Sequence, residues 1–343
     1  MHESKFIKKV AIVGVSLNPL LCPLSLTTPY RQLSSIISIR QFANHPEQAT
    51  GTIGKYIVEA LLQKGQHELT AITRKGSTSV MPAEVTAVAV DYENPSTLVE
   101  ALREQEALII TLPSTGLDQQ ATKLKLVEVA VEAGVPYVLP NEWTVNIANE
   151  KLADDVFFGG EIRRRVEELG FSAWVAVTTS LWYEFSLGLS PQCYGLNWAG
   201  RTFTFHDEGT RKINAIHPKK TMPQNGRAVA NLLSLPIQPS GVAPSLETYK
   251  NNFIYVSSFL VSQRDMFESV VRVTGTDPIK DWTLRLDEAA VRYRAGLGEM
   301  QAGDRAVYMK LLYARVFFPD EWTRVAIKIA EAGIKYDPGS GSS

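Results

Sequence analysis

Only two of the 343 residues are cysteine, Cys22 and Cys193. Two thiols cannot build a disulfide framework or a metal cage, so a cystine-rich scaffold and a metal site are both excluded as expectations. Charge of one sign is also scarce. Thirty-five Lys and Arg face 36 Asp and Glu, for a formal net charge of −1. A basic footprint for nucleic acid is therefore lacking, and so is an acidic tail. No apolar run reaches the ~18 residues that a membrane span takes. The stretch "MHESKFIKKVAIVG" enters a strand without a signal-peptide apolar region, so a cytoplasmic protein is expected. Apolar residues make up 45% and charged residues 21%, an ordinary globular composition. The length allows one large α/β unit and a second lobe. The end, "YDPGSGSS" (336–343), is expected to be disordered.

What is present is an alternation of strands and helices. "KKVAIVG" (8–14) is a continuous β-branched run, as in a buried parallel strand. "TIGKYIVEALLQKG" (52–65) has apolar residues at helical spacing and a closing glycine. Strands follow at 67–74, 85–91, 107–113, 136–143 and 172–184, separated by helices at 94–104, 119–134 and 159–170. This spacing predicts βαβ units and a Rossmann-like, doubly wound parallel sheet. Residues 1–185 form that domain, and 186–335 are expected to form a smaller α+β substrate lobe. In the second half, "RTFTFHDEGTRKINAIH" reads as a hairpin region.

Ligands of such sheets bind at the carboxyl ends of the strands. Those ends are Gly14, Arg74, Asp91, Pro113 and Asn141–Trp143. If residues 15–48 are passed over, the join reads "VAIVG" plus "ATGTIGKYIV". Gly14, Gly51 and Gly54 then form G-x-x-G-x-x-G between a strand and a helix. The first glycine permits the tight turn, the second lets backbone approach a pyrophosphate, and the third lets helix pack on sheet. Free N–H groups at the helix start suit phosphate. The expected cofactor contacts are Gly14, Thr50, Gly51, Thr52, Ile53, Gly54, Arg74, Lys75, Asp91, Pro113, Asn141 and Glu142. An acid at the end of the second strand would favour NAD. "ITRKGS" instead places Arg74 and Lys75 there, and cations suit the 2′-phosphate of NADP(H).

With these residues the chain resembles the NmrA-like family, including its isoflavone reductase-like oxidoreductases, and most closely its fungal members. The resemblance rests on "VAIVG…TGTIGKYIVEALL", "TAITR", "AGVPYVLPNEW", "LWYEFSL" and "VSSFLVSQRDMFESVVRVTGTDPIKDW". It implies an NADPH-binding Rossmann domain, a small C-terminal substrate lobe, a small-molecule substrate and a monomer or homodimer. Fungal members often serve specialised metabolism. A short-chain dehydrogenase would need Tyr-x-x-x-Lys, whose lysine lowers the tyrosine's pKa; no tyrosine here has lysine four residues on. In the isoflavone reductase-like branch a lysine opens the helix after the fifth strand and serves in proton transfer. The matching stretch "FFGGEIRRRVEELG" puts Gly159 at that position, so the catalytic residue is unknown. Lys151 is eight residues early. Glu161 and Arg163 are alternatives to it, weighed against a solvated helix face. Tyr183 and His217 are further candidates, weighed against packing. The resemblance also implies a second possibility, a non-catalytic dinucleotide sensor acting through a protein partner.

Residues 15–48 fit no element. They contain no Lys, Gly or Asp, one acid (Glu47) and four prolines (Pro19, Pro23, Pro29, Pro46), with neither helical period nor alternation. They read as translated intron. Val15-Ser16 can be encoded GTG AGT, a 5′ splice signal; Gln48 can be CAG, a 3′ signal; and Ala43-Asn44 can be GCT AAC, a fungal branch point. The 34 codons, 102 nucleotides, keep the reading frame. The alternative is a genuine loop or lid.

Overall fold

Lys9–Val13 forms the first strand, β1, and four of its five residues are buried. Fully burying each such Val or Ile side chain stabilises the fold by ~1.5–3 kcal/mol. In this computed structural model residues 6–15, 52–112, 117–156, 160–216, 218–239, 241, 243–304 and 307–318 are described. The described residues fall into two compact units. One comprises those of Met1–Trp143, Phe157–Thr178 and His217–Ile254; the other those of Thr144–Val156, Thr179–Ile216 and Tyr255–Ser343.

In the first unit β1 is followed by helix α1 (Thr52–Lys64), β2 (Glu68–Arg74), β3 (Val85–Val90), α2 (Pro95–Leu102), β4 (Ala107–Ile110), α3 (Leu117–Glu132) and β5 (Tyr137–Leu139). After α4 (Glu150–Asp155), which belongs to the second unit, come α5 (Glu161–Leu169) and β6 (Ala173–Thr178). The seven-stranded sheet has the order β11-β6-β5-β4-β1-β2-β3, with β11 spanning Asn252–Tyr255. Pairings from β3 through β6 are parallel. In register, Val13 lies opposite Ile72 on one side and Ile110 on the other. This is the doubly wound Rossmann order, and the α/β expectation holds. Leu98, Leu126 and Val166 bring α2, α3 and α5 onto Val13, Leu108 and Ile110 in one buried cluster. Asn94 accepts from Ser96 N at 3.3 Å and Pro95 sits in the first turn of α2, which fixes where that helix begins.

Helix α8 (Pro218–Leu233) belongs to this first unit, although the sequence reading placed everything after residue 185 in the second lobe. Its tie is to α1. A Cβ built on Gly226 would fall 2.1 Å from the Tyr56 carbonyl, so the two helices touch at their backbones.

The second unit contains α4, β7 (Leu181–Trp182), α6 (Tyr183–Leu189), α7 (Pro191–Tyr194), β8 (Leu196–Asn197), β9 (Thr202–His206) and β10 (Ile213–Ile216). It continues with β12 (Phe259–Val261), α9 (Gln263–Thr274), β13 (Thr283–Asp287), α10 (Ala289–Gln301) and α11 (Tyr308–Val316). Two three-stranded sheets result, β12-β10-β7 and β13-β9-β8. The expected hairpin at 201–217 is therefore wrong: β9 pairs with β13 and β8, β10 with β12 and β7. The strand expected over 172–184 also divides. Ser180 adopts φ +59, ending β6, and the chain resumes as β7 in another sheet. Among the described residues no helix is long and apolar enough to cross a membrane.

Candidate functional site

A sheet that winds outward in both directions from β1 leaves a crevice between β1 and β4, at their carboxyl ends. One residue organises that crevice here. Thr111, immediately after β4, donates its backbone N–H to Val13 O at 2.9 Å and its hydroxyl to the same oxygen at 2.7 Å. Its side chain is buried. The adjoining Gly14 has φ +89, and a Cβ there would lie 2.7 Å from the Thr111 carbonyl carbon. A Cβ on Gly54 would lie 2.8 Å from Thr111 Oγ1 and 3.3 Å from Val15 Cγ2. Thr111 thus explains two of the three motif glycines at once. Sequence reasoning missed it; the available signal was a hydroxyl at the end of the apolar run "ALIIT". Gly54→Ala is expected to destabilise the protein by ~1–3 kcal/mol through overpacking. The Thr111 hydroxyl can escape only by giving up its bond to Val13, and urea unfolding of the variant measures the loss.

Thr50 and Gly51 lie outside the described residues, as does Pro113. Thr52 opens α1. Ile53 is buried, so what it can offer a phosphate is its N–H rather than its side chain. Arg74 ends β2 opposite Val90, and Lys75 N donates to Val90 O at 2.8 Å, so the backbone fixes where both basic side chains emerge. Both are exposed. Asp91 is exposed too, but one carboxylate oxygen accepts from Glu93 N at 3.0 Å and shapes the entry to α2.

The segment after β5 is bolted to the end of β4. Asn141 Nδ2 donates to Leu112 O at 2.6 Å, and Trp143 Nε1 to Ile110 O at 2.9 Å. Between them Glu142 is buried, and both its carboxylate oxygens accept from Arg163 Nε at 2.9 Å. The Arg163 guanidinium lies 4.7 Å from the Phe253 ring centre and 5.2 Å from that of Trp174. Burial pushes the Glu142 carboxyl up to about 7, with Arg163 pulling the other way.

The proton-transfer candidates are distributed differently. Gly159 and His217 lie outside the described residues. Lys151 pairs with Asp155 at 3.1 Å within α4 and is exposed. Glu161 accepts from Gln120 Nε2 at 2.9 Å on the surface. Arg163 is engaged by Glu142. Tyr183 lies in the second unit, edge-on to Phe259 at 6.0 Å and tilted against Tyr194 at 6.4 Å, and burial raises its phenol. That is the packing outcome.

Comparison with known proteins places this geometry. Residues 49–141 match the family model described as NAD(P)H-binding. The oxidoreductase aprR of Aspergillus flavus is 25% identical over 264 residues, which cover 74% of this chain and 80% of that protein. A solved structure of AtPrR2 with NADP+ and (+)pinoresinol superimposes with a TM-score of 0.58 at 14% identity, over 90% of this chain and 86% of that one. An isoflavone reductase structure superimposes with a TM-score of 0.59 at 14% identity, over 96% of each. The structural likeness is one of fold. The chain contains an NAD(P)H-binding domain, and its relatives include oxidoreductases.

Proposed function

We propose that the protein is an NADPH-dependent oxidoreductase that reduces a small metabolite. The observation that carries this reading is the contact of Gly14 and Gly54 with Thr111 at the β1–β4 crevice. A side chain at Gly14 would meet the Thr111 backbone and one at Gly54 the Thr111 hydroxyl, so both glycines let β1, α1 and the end of β4 pack as the glycine turn of a dinucleotide fold does. The residues present fit such a cofactor. Gly14 and the N–H groups opening α1 would hold the pyrophosphate, and Arg74 and Lys75 the 2′-phosphate. Asn141 and Trp143 hold the β5 segment against β4, where the nicotinamide would rest. A bound NADPH supplies a hydride, and the reaction then needs a proton. Burial raises the Glu142 carboxyl to about 7 against the pull of Arg163, so roughly half of the molecules carry a proton there at neutral pH. With Gly159 at the family lysine's position, Glu142 is our candidate for the proton source. The second unit is the substrate lobe in this reading.

The pair Arg74→Ser and Lys75→Ser is expected to weaken NADPH binding about tenfold while leaving NADH unchanged, since only the 2′-phosphate is lost from recognition. Fluorescence titration with both cofactors checks it; equal losses for the two would place the cations elsewhere. Turnover is tested separately, by NADPH oxidation over a panel of enones and quinones. Tight binding without turnover on any of them would favour the sensor reading.

A further inference from the structure

We infer that the second unit carries a binding site for a compact, neutral group that presents a hydrogen-bond donor beside an acceptor. This extends the substrate class proposed above, but the site stands on its own geometry. A cavity of about 20 Å³, measured at the centres of water-sized molecules, is lined by Asn146, Ser180 and Asn214 together with Leu152, Ile213 and Val316. One water needs ~10–15 Å³ of volume occupied by the sphere itself, and 20 Å³ of centre positions sweeps out more than that, so a few atoms of a ligand can enter. Three polar atoms on its wall have no hydrogen-bond partner: Asn146 Oδ1, Ser180 Oγ and Asn214 Nδ2. Ser180 and Asn214 are 3% and 5% exposed, so bulk water does not satisfy them. Buried polar groups without partners are costly, and such a set is a reason to look for what completes it.

The wall sets the chemistry of the guest. It offers one acceptor, one donor and one hydroxyl that serves as either. No charged side chain lines it. An ion would lose its hydration with nothing to compensate, so carboxylates, phosphates and ammonium groups are rejected. A hydroxyl, a primary amide or an enol matches, with its carbon flank against Leu152, Ile213 and Val316. The positions are fixed by backbone. Ser180 is held at φ +59 with its N–H on Thr144 O at 3.0 Å, and Asn214 lies in β10, paired with Leu260 of β12.

Glycolamide and glycolate share one skeleton and differ in charge, which makes them suitable probes. In saturation-transfer NMR on the full chain, glycolamide is expected to give a saturable signal at least fivefold stronger than glycolate. Asn214→Leu removes the donor and is expected to abolish that signal. If that variant does not fold, Ser180→Ala and Asn214→Asp test the same wall, and each is expected to cut the signal at least threefold. Equal signals from the two probes, a glycolamide signal unchanged in all folded variants, or none above background with a fixed water filling the cavity in a crystal, would each overturn the inference. None of these outcomes touches NADPH binding, which titrates separately in the first unit.

Discussion

A chain lacking residues 15–48 is expected to bind NADPH on the order of a hundredfold more tightly than the 343-residue form, about 2.7 kcal/mol. The argument begins at Gly14. Its φ of +89 and its contact with Thr111 are those of a residue turning tightly at a strand end. In the full chain the next residue is Val15, buried, with its Cα 3.5 Å from a Cβ on Gly54. The place beside the third glycine is thus taken by the first residue of the extra segment. In the shortened chain Ala49 would follow Gly14 directly, which restores the G-x-x-G-x-x-G spacing of Gly14, Gly51 and Gly54 in the sequence. Hydrogen bonds from backbone N–H to a charged group contribute ~1.5–3 kcal/mol each, so restoring one or two accounts for the expected gain. Stability changes less, because closing a longer loop costs about 0.6 kcal/mol per doubling of its length. Isothermal titration of both forms decides the matter, and equal affinities would refute it. Sequencing the transcript addresses the origin of the segment: a message that always retains the 102 nucleotides would sink the intron reading.

The first unit was largely legible in the sequence because its signals are local. A buried β-branched strand, a glycine turn and an amphipathic helix announce a βαβ unit, which sets β1 and β2 parallel in one sheet. The carboxyl ends of the strands, where the expected cofactor contacts lie, followed from the strand order. Thr111 was less visible, because its role depends on Val13 O, which lies 98 positions earlier in the chain. The second unit resisted for the same reason at larger scale. Strand β9 finds its parallel partner in β13, about 80 residues on, and nothing between 202 and 216 encodes that choice. Its apparent hairpin partner β10 instead completes a different sheet. The break at Ser180 was hidden inside a run, "VAVTTSLWY", whose β propensity is continuous. Helix α8 has a readable helical pattern, but the pattern does not say which neighbour it serves. The contact of Gly226 with the Tyr56 carbonyl does.

The pH dependence of stability at Glu142 is the second large effect. Its carboxyl, ordinarily 4.5, is pushed up to about 7 by burial against the partial relief from Arg163. A folded-state pKa above the unfolded one means that the folded protein holds a proton the unfolded chain releases. The stabilisation is complete below pH 4.5 and is lost as pH rises through about 7. At 1.36 kcal/mol per unit the swing is about 3 kcal/mol. Glu142→Gln removes the titration while keeping the shape. The variant starts close to the parent at pH 4.5, where a protonated carboxyl and an amide both accept from Arg163 as neutral groups. Its stability relative to the parent should then rise by about 3 kcal/mol between pH 4.5 and 8, read from urea midpoints across that range. A constant difference would show that Glu142 is ionised throughout and that Arg163 outweighs burial. The same titration bears on turnover. With Glu142 as the proton source proposed above, NADPH oxidation is expected to fall as pH rises through about 7, and the Gln variant to be slow at every pH. A parent profile flat from pH 5 to 9 would remove Glu142 as the proton source and leave its bond to Arg163 as a brace for the β5 segment.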